Sequence, residues 1–281
     1  MMKILAIDTS GMPASVAVCT EETLLAEYTV HLKRTHSQTL MPMMEEIRRT
    51  LELDLNTVDA IAVAGGPGSF TGLRIGSAAA KGIGLALDKP LVHVPTLEAM
   101  AYNFYGTESL VAPMMDARRN QVFAGIYTYK RMGMPPAQME SAQMEPTQMD
   151  PSQESLAQGH AALASPAYVD PLTILSDQEP LEIGDLCSRL NTLSLETGKQ
   201  VILSGDGAQA YRAVIEGCLK VPHFYAPAHL ALQKAGAVAA RALDLARMGK
   251  LESAAQHRPD YLRVSQAERV RAQKEQGTHA G

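Results

Sequence analysis

The sequence lacks three features that would point to particular classes of protein: an excess of basic residues, a set of paired cysteines and a long hydrophobic run. The formal net charge is −5, which leaves no general positive charge for holding nucleic acid unaided. The three cysteines (Cys19, Cys187 and Cys218) are an odd, scattered set, so they do not suggest a disulfide framework and favour a reducing cytosol. No apolar run reaches the length of a signal peptide or membrane span. We therefore expect a soluble, cytoplasmic protein without membrane contact.

Several catalytic signatures are missing as well. A His-x-x-x-His pair places two imidazoles on one helical face for a metal, but no two of the eight histidines are four apart: 31, 36, 93, 160, 223, 229, 257 and 279. Distant histidines could still meet through folding, although we predict that His93, in an apolar strand, is a core residue. The glycine stretch 65–72 is not followed by Gly-Lys-Ser/Thr, and no Gly-x-Ser-x-Gly elbow is present. The sequence thus predicts no catalytic residue, no metal and no cofactor.

One segment departs from the composition of a globular protein. From Lys130 to about Pro166 the chain repeats short units such as "AQMES", "AQMEP" and "TQMDP". Such a segment cannot bury enough apolar surface to offset the entropy lost on ordering. We predict a disordered insertion at about 131–166, with an adaptable methionine-rich binding surface as the alternative.

The remaining sequence alternates strand and helix patterns. The runs "MKILAI", "ASVAVC" and "LLAEYTV" are separated by turn residues and predict an antiparallel meander. A helix is predicted from Ser37 to about Leu51, with its inward face on Leu40, Met43, Ile47 and Leu51. The strand Asp59–Ala64, a glycine loop and a helix over Leu73–Leu87 follow, and then the strand "PLVHV" and the helix "TLEAMAYNFY".

A second region repeats this pattern. The stretches Ile4–Val18 and Leu110–Tyr127 each contain an apolar strand, an aspartate at its end, a polar turn and a second β-rich run. Asp8 and Asp116 therefore occupy equivalent places, which indicates two related α/β halves. The second half contains the strand Gln200–Gly205 with a glycine turn and a helix after it, and a last helix is predicted from about Ala228 to Met248.

This duplication resembles the superfamily of actin, sugar kinases and heat-shock ATPases (the ASKHA fold). The motifs "ILAIDTS", "GGPGSFTGLRIGSAAAKGIGLAL", "PTLEAMA", "MDARRNQVFAGIY" and "PDYLR" together resemble the TsaB (YeaZ) family over nearly the whole chain outside the insertion and tail. The implied domains are two actin-like α/β subdomains, a C-terminal helix with its extension, and a polar tail: 1–106, 107–226, 227–264 and 265–281.

The resemblance implies a non-catalytic scaffold in tRNA modification. TsaB-type proteins bind and activate their paralogue TsaD, which transfers a threonylcarbamoyl group to the tRNA adenosine beside the anticodon. TsaC supplies the threonylcarbamoyl adenylate, and TsaE is an associated ATPase. The expected partners are TsaD as a heterodimer, TsaE, and a second copy of the chain when alone; tRNA would be met only through the complex. The alternative is an enzyme, either a small-molecule kinase or ATPase of the actin-like class or a glycoprotease-like metalloenzyme.

Two sets of residues are candidates for sites. By the resemblance, Asp8 could hold Mg²⁺ through water, Thr9 and Ser10 could donate to a phosphate, and "SGDGAQ" is similar to the nucleotide-contacting turn of the second half; the glycine loop has the local pattern of a phosphate cradle. A vestigial nucleotide site could therefore involve Asp8, Thr9, Ser10, Gly65, Gly66, Gly68, Ser204, Gly205 and Gly207. A structural role in the hairpin turn is the alternative for Asp8 and Ser10, and a charged Asp206 would oppose an anionic ligand. The helix over Leu73–Leu87 has apolar residues around most of its circumference and a row of small ones, so it is predicted to face a partner unless it is enclosed within its own domain. The predicted partner interface comprises Met41, Met44, Arg48, Leu73, Gly76, Ser77, Ala80 and Gly84.

Overall fold

The structure is a computed structural model that describes residues 1–32, 35–130 and 168–262. The predicted insertion and the predicted polar tail lie outside these residues. The first half consists of β1 (Lys3–Asp8), β2 (Ala14–Thr20), β3 (Leu24–Val30), α1 (His36–Thr50), β4 (Ala60–Gly66), α2 (Phe70–Leu87), β5 (Leu91–Pro95) and α3 (Thr96–Tyr102). A 3₁₀ turn at Leu55–Thr57 precedes β4.

The second half repeats the strand and helix alternation, with two short helices between β9 and β10. It consists of β6 (Leu110–Asp116), β7 (Gln121–Tyr129), β8 (Leu172–Glu182), α4 (Ile183–Thr197), β9 (Val201–Ser204), α5 (Asp206–Ala210), α6 (Arg212–Cys218) and β10 (His223–Tyr225). A last helix, α7 (Ala235–Arg247), follows.

The two sheets have the same topology. The strand order is β3-β2-β1-β4-β5 in the first sheet and β8-β7-β6-β9-β10 in the second. In each sheet the first three strands form an antiparallel meander, and the fourth and fifth strands are added in parallel. Asp8 and Asp116 are the last residues of the two equivalent strands β1 and β6. The predicted meander and the predicted duplicated actin-like α/β fold are therefore confirmed.

Each sheet is covered on both faces because successive side chains of a strand point to opposite sides. In β1, Ile4 and Ala6 pack under α7, whereas Leu5 and Ile7 pack under α1 and α2. In β6, Leu110, Ala112 and Met114 face α4–α6, and Val111 and Met115 face α3. Continuous apolar strands such as "AIAVAGG" of β4 are therefore buried on both faces.

The last helix begins later than the sequence predicts, at Ala235 instead of about Ala228. The carbonyl oxygens of Leu230, Ala231 and Leu232 accept hydrogen bonds from distant donors, namely the Asn103 side chain and the backbone N–H of Gly205. These acceptors link the segment to both halves. The local apolar pattern of the sequence could not reveal such long-range hydrogen bonds.

The structure places the three cysteines differently from the expectation. The structure joins Cys187 of α4 to Cys218 of α6 by a disulfide, with Cys19 free and buried, so the expectation of no disulfide was wrong. The two cysteines are 31 positions apart but lie on helices that pack together, which spacing alone could not reveal. Within the described ranges, no helix combines the length and the apolar character needed to cross a bilayer.

A buried cluster of charges lies where the two halves meet. Arg241 of α7 is 2% exposed and pairs with Glu98 of α3 and with Asp170, which lies two residues before β8. Its neighbour Tyr102 donates a hydrogen bond to Asp244 at 2.5 Å, and Tyr168 donates to the same carboxylate. Since a buried charge is tolerated only with partners, this cluster connects α3, α7 and the start of β8.

Candidate functional site

The β1–β2 turn contains the first candidate nucleotide residues. Asp8 is fully buried, and its Oδ1 accepts hydrogen bonds from the backbone N–H and the hydroxyl of Ser10, at 2.8 and 2.6 Å. Its Oδ2 has no hydrogen-bond partner among the described residues. Burial raises the pKa of Asp8 to about 6, although both bonds from Ser10 oppose the rise.

The glycine loop packs directly on this turn. The backbone N–H of Ser69 donates to the Ser10 carbonyl at 2.7 Å, and Thr9 Oγ1 donates to the Gly72 carbonyl at 2.7 Å. A Cβ at Gly72 would overlap the Thr9 carbonyl oxygen, and one at Gly76 would lie 2.5 Å from Thr9 Oγ1. The glycines therefore permit the first turns of α2 to contact the hairpin, and protein atoms fill this contact.

The equivalent turn of the second half is open. Asp116 accepts hydrogen bonds from the Arg118 backbone and the Tyr211 hydroxyl, and Arg118 is 86% exposed. Arg118, Arg119 and Asn120 all have φ between 58° and 65°, a left-handed backbone that costs energy in non-glycine residues. The β6–β7 turn is thus strained and solvent-facing, where the β1–β2 turn is buried.

The remaining nucleotide candidates lie beside β6. Gly205 has a φ of 94°, and a Cβ at that position would overlap the Met114 carbonyl. Asp206 accepts a hydrogen bond from the backbone N–H of Asp116 at 3.0 Å, and burial raises its pKa. Ser204 is buried at the end of β9, and Gly207 packs against Val122 and Met114. Ser204, Gly205 and Gly207 therefore lie around the end of β6, away from the turn that contains Asp8.

The predicted small-residue row of α2 faces inward, contrary to the prediction. Gly76 packs against Thr9, Ile7 and Val63, and Gly84 packs against Leu91 and Ala254. Leu73, Ser77 and Ala80 are buried as well. Small residues let α2 approach its own sheet closely, so these five cannot meet a partner and the alternative of a helix enclosed in its domain applies to this row.

A different face of α2 is exposed. It includes Phe70 and Leu85, which are 37% and 62% exposed, together with Arg74, Ala78 and Gly82. A Cβ at Gly82 would meet nothing within 4 Å. These five exposed residues of α2 are therefore small or apolar, except for the cation Arg74.

On α1, the predicted interface residues separate into two groups. Met44 is 5% exposed and packs in the core with Leu40, Met43 and Ile47, so its assignment to a partner interface was wrong. Met41 is 53% exposed. Arg48 is also exposed and pairs with Glu45 at 2.6 Å. Of the residues predicted to form the partner interface, Met41 and Arg48 are consequently the two that face outward.

A cluster of titratable side chains forms where the C-terminal segment crosses β5. One ring nitrogen each of His93 and His257 and a carboxylate oxygen of Glu252 lie within 4.8 Å of one another, a grouping that could hold a metal ion. His93 Nε2 lies 3.0 Å from Asp260 Oδ2, and His257 Nδ1 lies 2.6 Å from Glu252 Oε1. Burial lowers the pKa of His93, but the hydrogen bond and charge of Asp260, together with the charges of Glu252 and Glu98, raise the pKa overall.

Backbone contacts fix this cluster beside the glycine loop. Leu91 and Glu252 exchange two backbone hydrogen bonds of 2.9 Å, and Asp260 N–H donates to the Gly65 carbonyl at 2.7 Å. A Cβ at Gly65 would overlap the His93 ring. His93 is thus only partly a core residue, and its partners come from positions more than 150 residues away, which no motif spacing could have shown.

The comparisons with known proteins identify the family. The family model for TsaD, described as tRNA N6-adenosine threonylcarbamoyltransferase, matches residues 23–270. The chain belongs to this family. Its resemblance to the TsaB (YeaZ) proteins, the paralogues of TsaD within that family, is confirmed by relatives of both kinds, curated and structural.

Two curated relatives are named tRNA threonylcarbamoyladenosine biosynthesis protein TsaB. The protein of Bacillus subtilis is 42% identical over 129 residues, 46% of this chain and 56% of the relative. The Escherichia coli protein is 36% identical over 135 residues, 47% of this chain and 58% of the relative. The matches therefore span a little over half the length of these TsaB relatives.

The solved structure of YeaZ from Pseudomonas aeruginosa extends the likeness to the whole fold. It has a TM-score of 0.68 and 25% sequence identity, and the alignment covers 93% of this chain and 100% of that one. A second P. aeruginosa structure, described as similar to the peptidase YeaZ, has a TM-score of 0.66 at 24% identity and supports the fold alone. The TsaB-type fold thus extends beyond the stretch matched by the curated relatives.

Proposed function

We propose that this chain is a non-catalytic scaffold that binds TsaD and activates it in forming threonylcarbamoyladenosine on tRNA. The relatives' names support a place in this biosynthesis, and the chain would work in the cytoplasm. The observation that carries the proposal is the outward surface of α1 and α2, which lie on the same face of the first sheet. Met41 and Leu85 are exposed there without an intramolecular reason to be apolar, and Phe70, which contacts Tyr261, is 37% exposed on the same surface.

The composition of this surface favours a helix-to-helix contact. Ala78 and Gly82 are small and exposed, so a partner helix could approach the α2 backbone closely. Arg48 and Arg74 add cations at the margin, and Arg74 lies 5.3 Å from the Phe70 ring. An apolar centre with polar margins is the usual arrangement of a protein interface. The same surface would serve a homodimer when TsaD is absent, and TsaE and tRNA would be met through the complex.

The contact between the glycine loop and the β1–β2 turn supports the non-catalytic part. A phosphate cradle needs backbone N–H groups that point at the ligand. Here the Ser69 N–H donates to the Ser10 carbonyl, and Ser69 Oγ accepts from the Gly72 N–H at 3.3 Å. These groups are used for folding, which favours a vestigial site over a working kinase or ATPase site.

The interface is tested with Met41→Glu. We expect TsaD affinity to fall about thirtyfold, roughly 2 kcal/mol, because the variant places an unpaired charge in the contact. The fold should be unchanged because Met41 is half exposed. The matched control is Leu195→Glu, an exposed apolar residue (79%) on α4 of the other half. Equal affinities of both variants for TsaD would remove Met41 from the interface.

Catalysis is tested by reconstitution. Threonylcarbamoyl transfer to tRNA is assayed with the complete set of subunits and with each subunit omitted. We expect no transfer by this chain alone and a large loss when it is left out. Transfer by the isolated chain would refute the scaffold proposal. A rise of Tm with Mg-ATP concentration would instead favour the kinase or ATPase alternative.

A further inference from the structure

We propose that Tyr261 belongs to the partner surface and that the partner places an acidic side chain opposite Arg74. The C-terminal segment (residues 251–262) then completes a binding site that begins on α2. This inference rests on the function proposed above, because it concerns the same contact with TsaD. It adds to that contact a part of the chain that is distant from α1 and α2 in sequence.

Two aromatic rings meet at the start of α2. The ring centroids of Phe70 and Tyr261 are 4.8 Å apart, and the ring planes are inclined by 38°. Both residues remain partly open to solvent, with Phe70 at 37% and Tyr261 at 44% exposure. The contact between the rings therefore covers only part of each one and leaves an aromatic surface that a partner can reach.

The C-terminal segment holds Tyr261 in this position. The Asp260 N–H donates to the Gly65 carbonyl at 2.7 Å, and Lys81 Nζ of α2 donates to two carbonyls of the segment, both at 3.0 Å. On the other side, Leu262 packs against the apolar core under α3. A side chain whose surroundings are fixed before binding loses less conformational entropy on binding, so Tyr261 is suited to anchor a partner.

The residue types along this face of α2 are those of a protein interface. Aromatic residues and arginine are enriched in interfaces, and tyrosine and arginine are frequent among the residues that carry most of the binding energy. Arg74 follows Phe70 by about one helical turn, and its guanidinium carbon lies 5.3 Å from the Phe70 ring centroid. Ala78 and Gly82 continue the face, and Leu85 ends it. The aromatic pair thus forms one end of a strip that runs the length of α2.

The charge of Arg74 indicates the chemistry of the partner. Arg74 is exposed and forms no ion pair with any residue that the structure describes. In a symmetric homodimer the same patch meets itself, so two copies would bring like charges into one interface. A partner with a carboxylate opposite Arg74 gains attraction instead. This end of α2 therefore fits an acidic site on TsaD better than it fits a second copy of the chain.

The ring is tested with tyrosine variants of the full chain in a TsaD affinity measurement. Tyr261→Ala should weaken binding about tenfold because it removes an anchor, whereas Tyr261→Phe keeps the ring and should bind like the wild-type chain. The matched control is Tyr105→Ala. Tyr105 lies just after α3, is 49% exposed and also contacts other rings, so its loss should leave the affinity unchanged.

A photo-reactive phenylalanine analogue separates direct contact from an indirect effect on folding. Placed at position 261 it should cross-link to TsaD on illumination, and placed at position 105 it should not. A structural role for Tyr261 could lower affinity but would give no cross-link.

The acidic contact is tested through salt. Arg74→Ala should lower TsaD affinity and make it less dependent on salt concentration, because a screened charge pair is lost. Arg189→Ala is the control, since Arg189 is an exposed arginine on α4 that pairs with Glu179. It should change neither the affinity nor its salt dependence.

The outcomes distinguish this inference from the scaffold proposal. Wild-type affinity in Tyr261→Ala without a cross-link from position 261 would overturn the role of the ring, and an unchanged salt dependence in Arg74→Ala would overturn the acidic contact. If Met41→Glu still weakened binding in that case, the scaffold proposal would stand. An absence of TsaD binding by the wild-type chain would overturn both.

Discussion

The β1–β2 and β6–β7 turns occupy equivalent positions in two sheets of identical strand order, yet their surroundings are opposite. At the first turn, Asp8 is buried and α2 packs on Thr9 and Ser10. At the second, Arg118 is 86% exposed and three consecutive residues adopt a left-handed backbone. The duplicated topology therefore sets where a turn lies, while the following helix decides whether that turn is filled or open.

The largest effect should come from opening the filled turn. Gly72→Ala adds a Cβ that overlaps the Thr9 carbonyl oxygen, and we expect a loss of about 2–3 kcal/mol, because overpacking outweighs the gain in helix propensity. In thermal unfolding this corresponds to a drop in Tm of about 5 °C or more.

The control for this substitution is Gly217→Ala in α6 of the second half. Its Cβ would meet nothing within 4 Å, so stability should stay the same or rise by up to about 1 kcal/mol from helix propensity. If the two variants lost the same stability, the contact between α2 and the β1–β2 turn would not be the tight one described.

The next effect concerns the charge of Asp8. Its folded pKa of about 6 lies above the ordinary value of about 3.9, so the charged form destabilises the fold by at most about 3 kcal/mol. Because the folded pKa is raised, the protonated carboxyl contributes stability. This contribution is complete below about pH 4 and is lost as pH rises through about 6. Asp8→Asn should therefore raise Tm at pH 8 by more than at pH 4.

Asp116→Asn is the matched substitution in the open turn. Its carboxylate is held by the Arg118 backbone and Tyr211, so removing its charge should give no such gain at pH 8. A pH-independent effect of Asp8→Asn in chemical or thermal unfolding would contradict the assignment of burial as the dominant influence on Asp8.

A smaller effect is expected from relieving the strained turn. Arg119→Gly should stabilise the fold by about 0.5–1 kcal/mol, because glycine adopts a φ of 58° without a Cβ penalty and loses only part of this gain to chain entropy. Asn120→Gly is the comparison, since asparagine tolerates the left-handed region better. Equal denaturant midpoints for Arg119→Gly and the parent chain would show that the turn carries no strain.

The smallest effect should come from shortening the β7–β8 connection, which is far longer than its counterpart. β2 and β3 are joined by residues 21–23, whereas β7 and β8 are separated by residues 130–171. Tyr129 and Leu172 are paired across the two strands, and Lys130 N–H donates to the Pro171 carbonyl at 2.9 Å. Replacing Met134–Ala164 with a short Gly/Ser linker should change Tm and TsaD binding little, since loop-closure entropy depends weakly on length.

The outcome for that deletion separates two interpretations of the methionine-rich repeat. Unchanged TsaD affinity in a binding assay supports an insertion with no part in recognition. A clear loss of affinity, with Tm unchanged, would support the adaptable binding surface instead.

The repeated fold was predictable because its signals are local. The β1–β3 meander follows from short β-rich runs between turn residues, and α1 follows from Leu40, Met43 and Ile47 on one face. The assignment of faces on α2 was not predictable, because this helix has small or apolar residues on two sides. A helical wheel gives their angular positions but not which side meets the sheet.

The candidate site was predictable only in part. Asp8 and Ser10 lie in one turn, Gly68 packs against Ser10, and the Ser69 N–H donates to the Ser10 carbonyl. The His93 cluster and the Cys187–Cys218 disulfide depend on residues far apart in the chain, which tertiary packing alone unites. Met44 was misplaced because it lies at the edge of the apolar stripe of α1, where burial depends on how α1 tilts on β2.

Each half of the molecule has its own sheet, and Arg241 bears on how far the two halves could rotate relative to each other. Rotating the halves apart would separate its guanidinium from Asp170 while Glu98 stayed beside it. Arg241 is buried, so losing Asp170 as a partner costs free energy and disfavours the separated arrangement. The Arg241 cluster therefore favours one arrangement of the two halves.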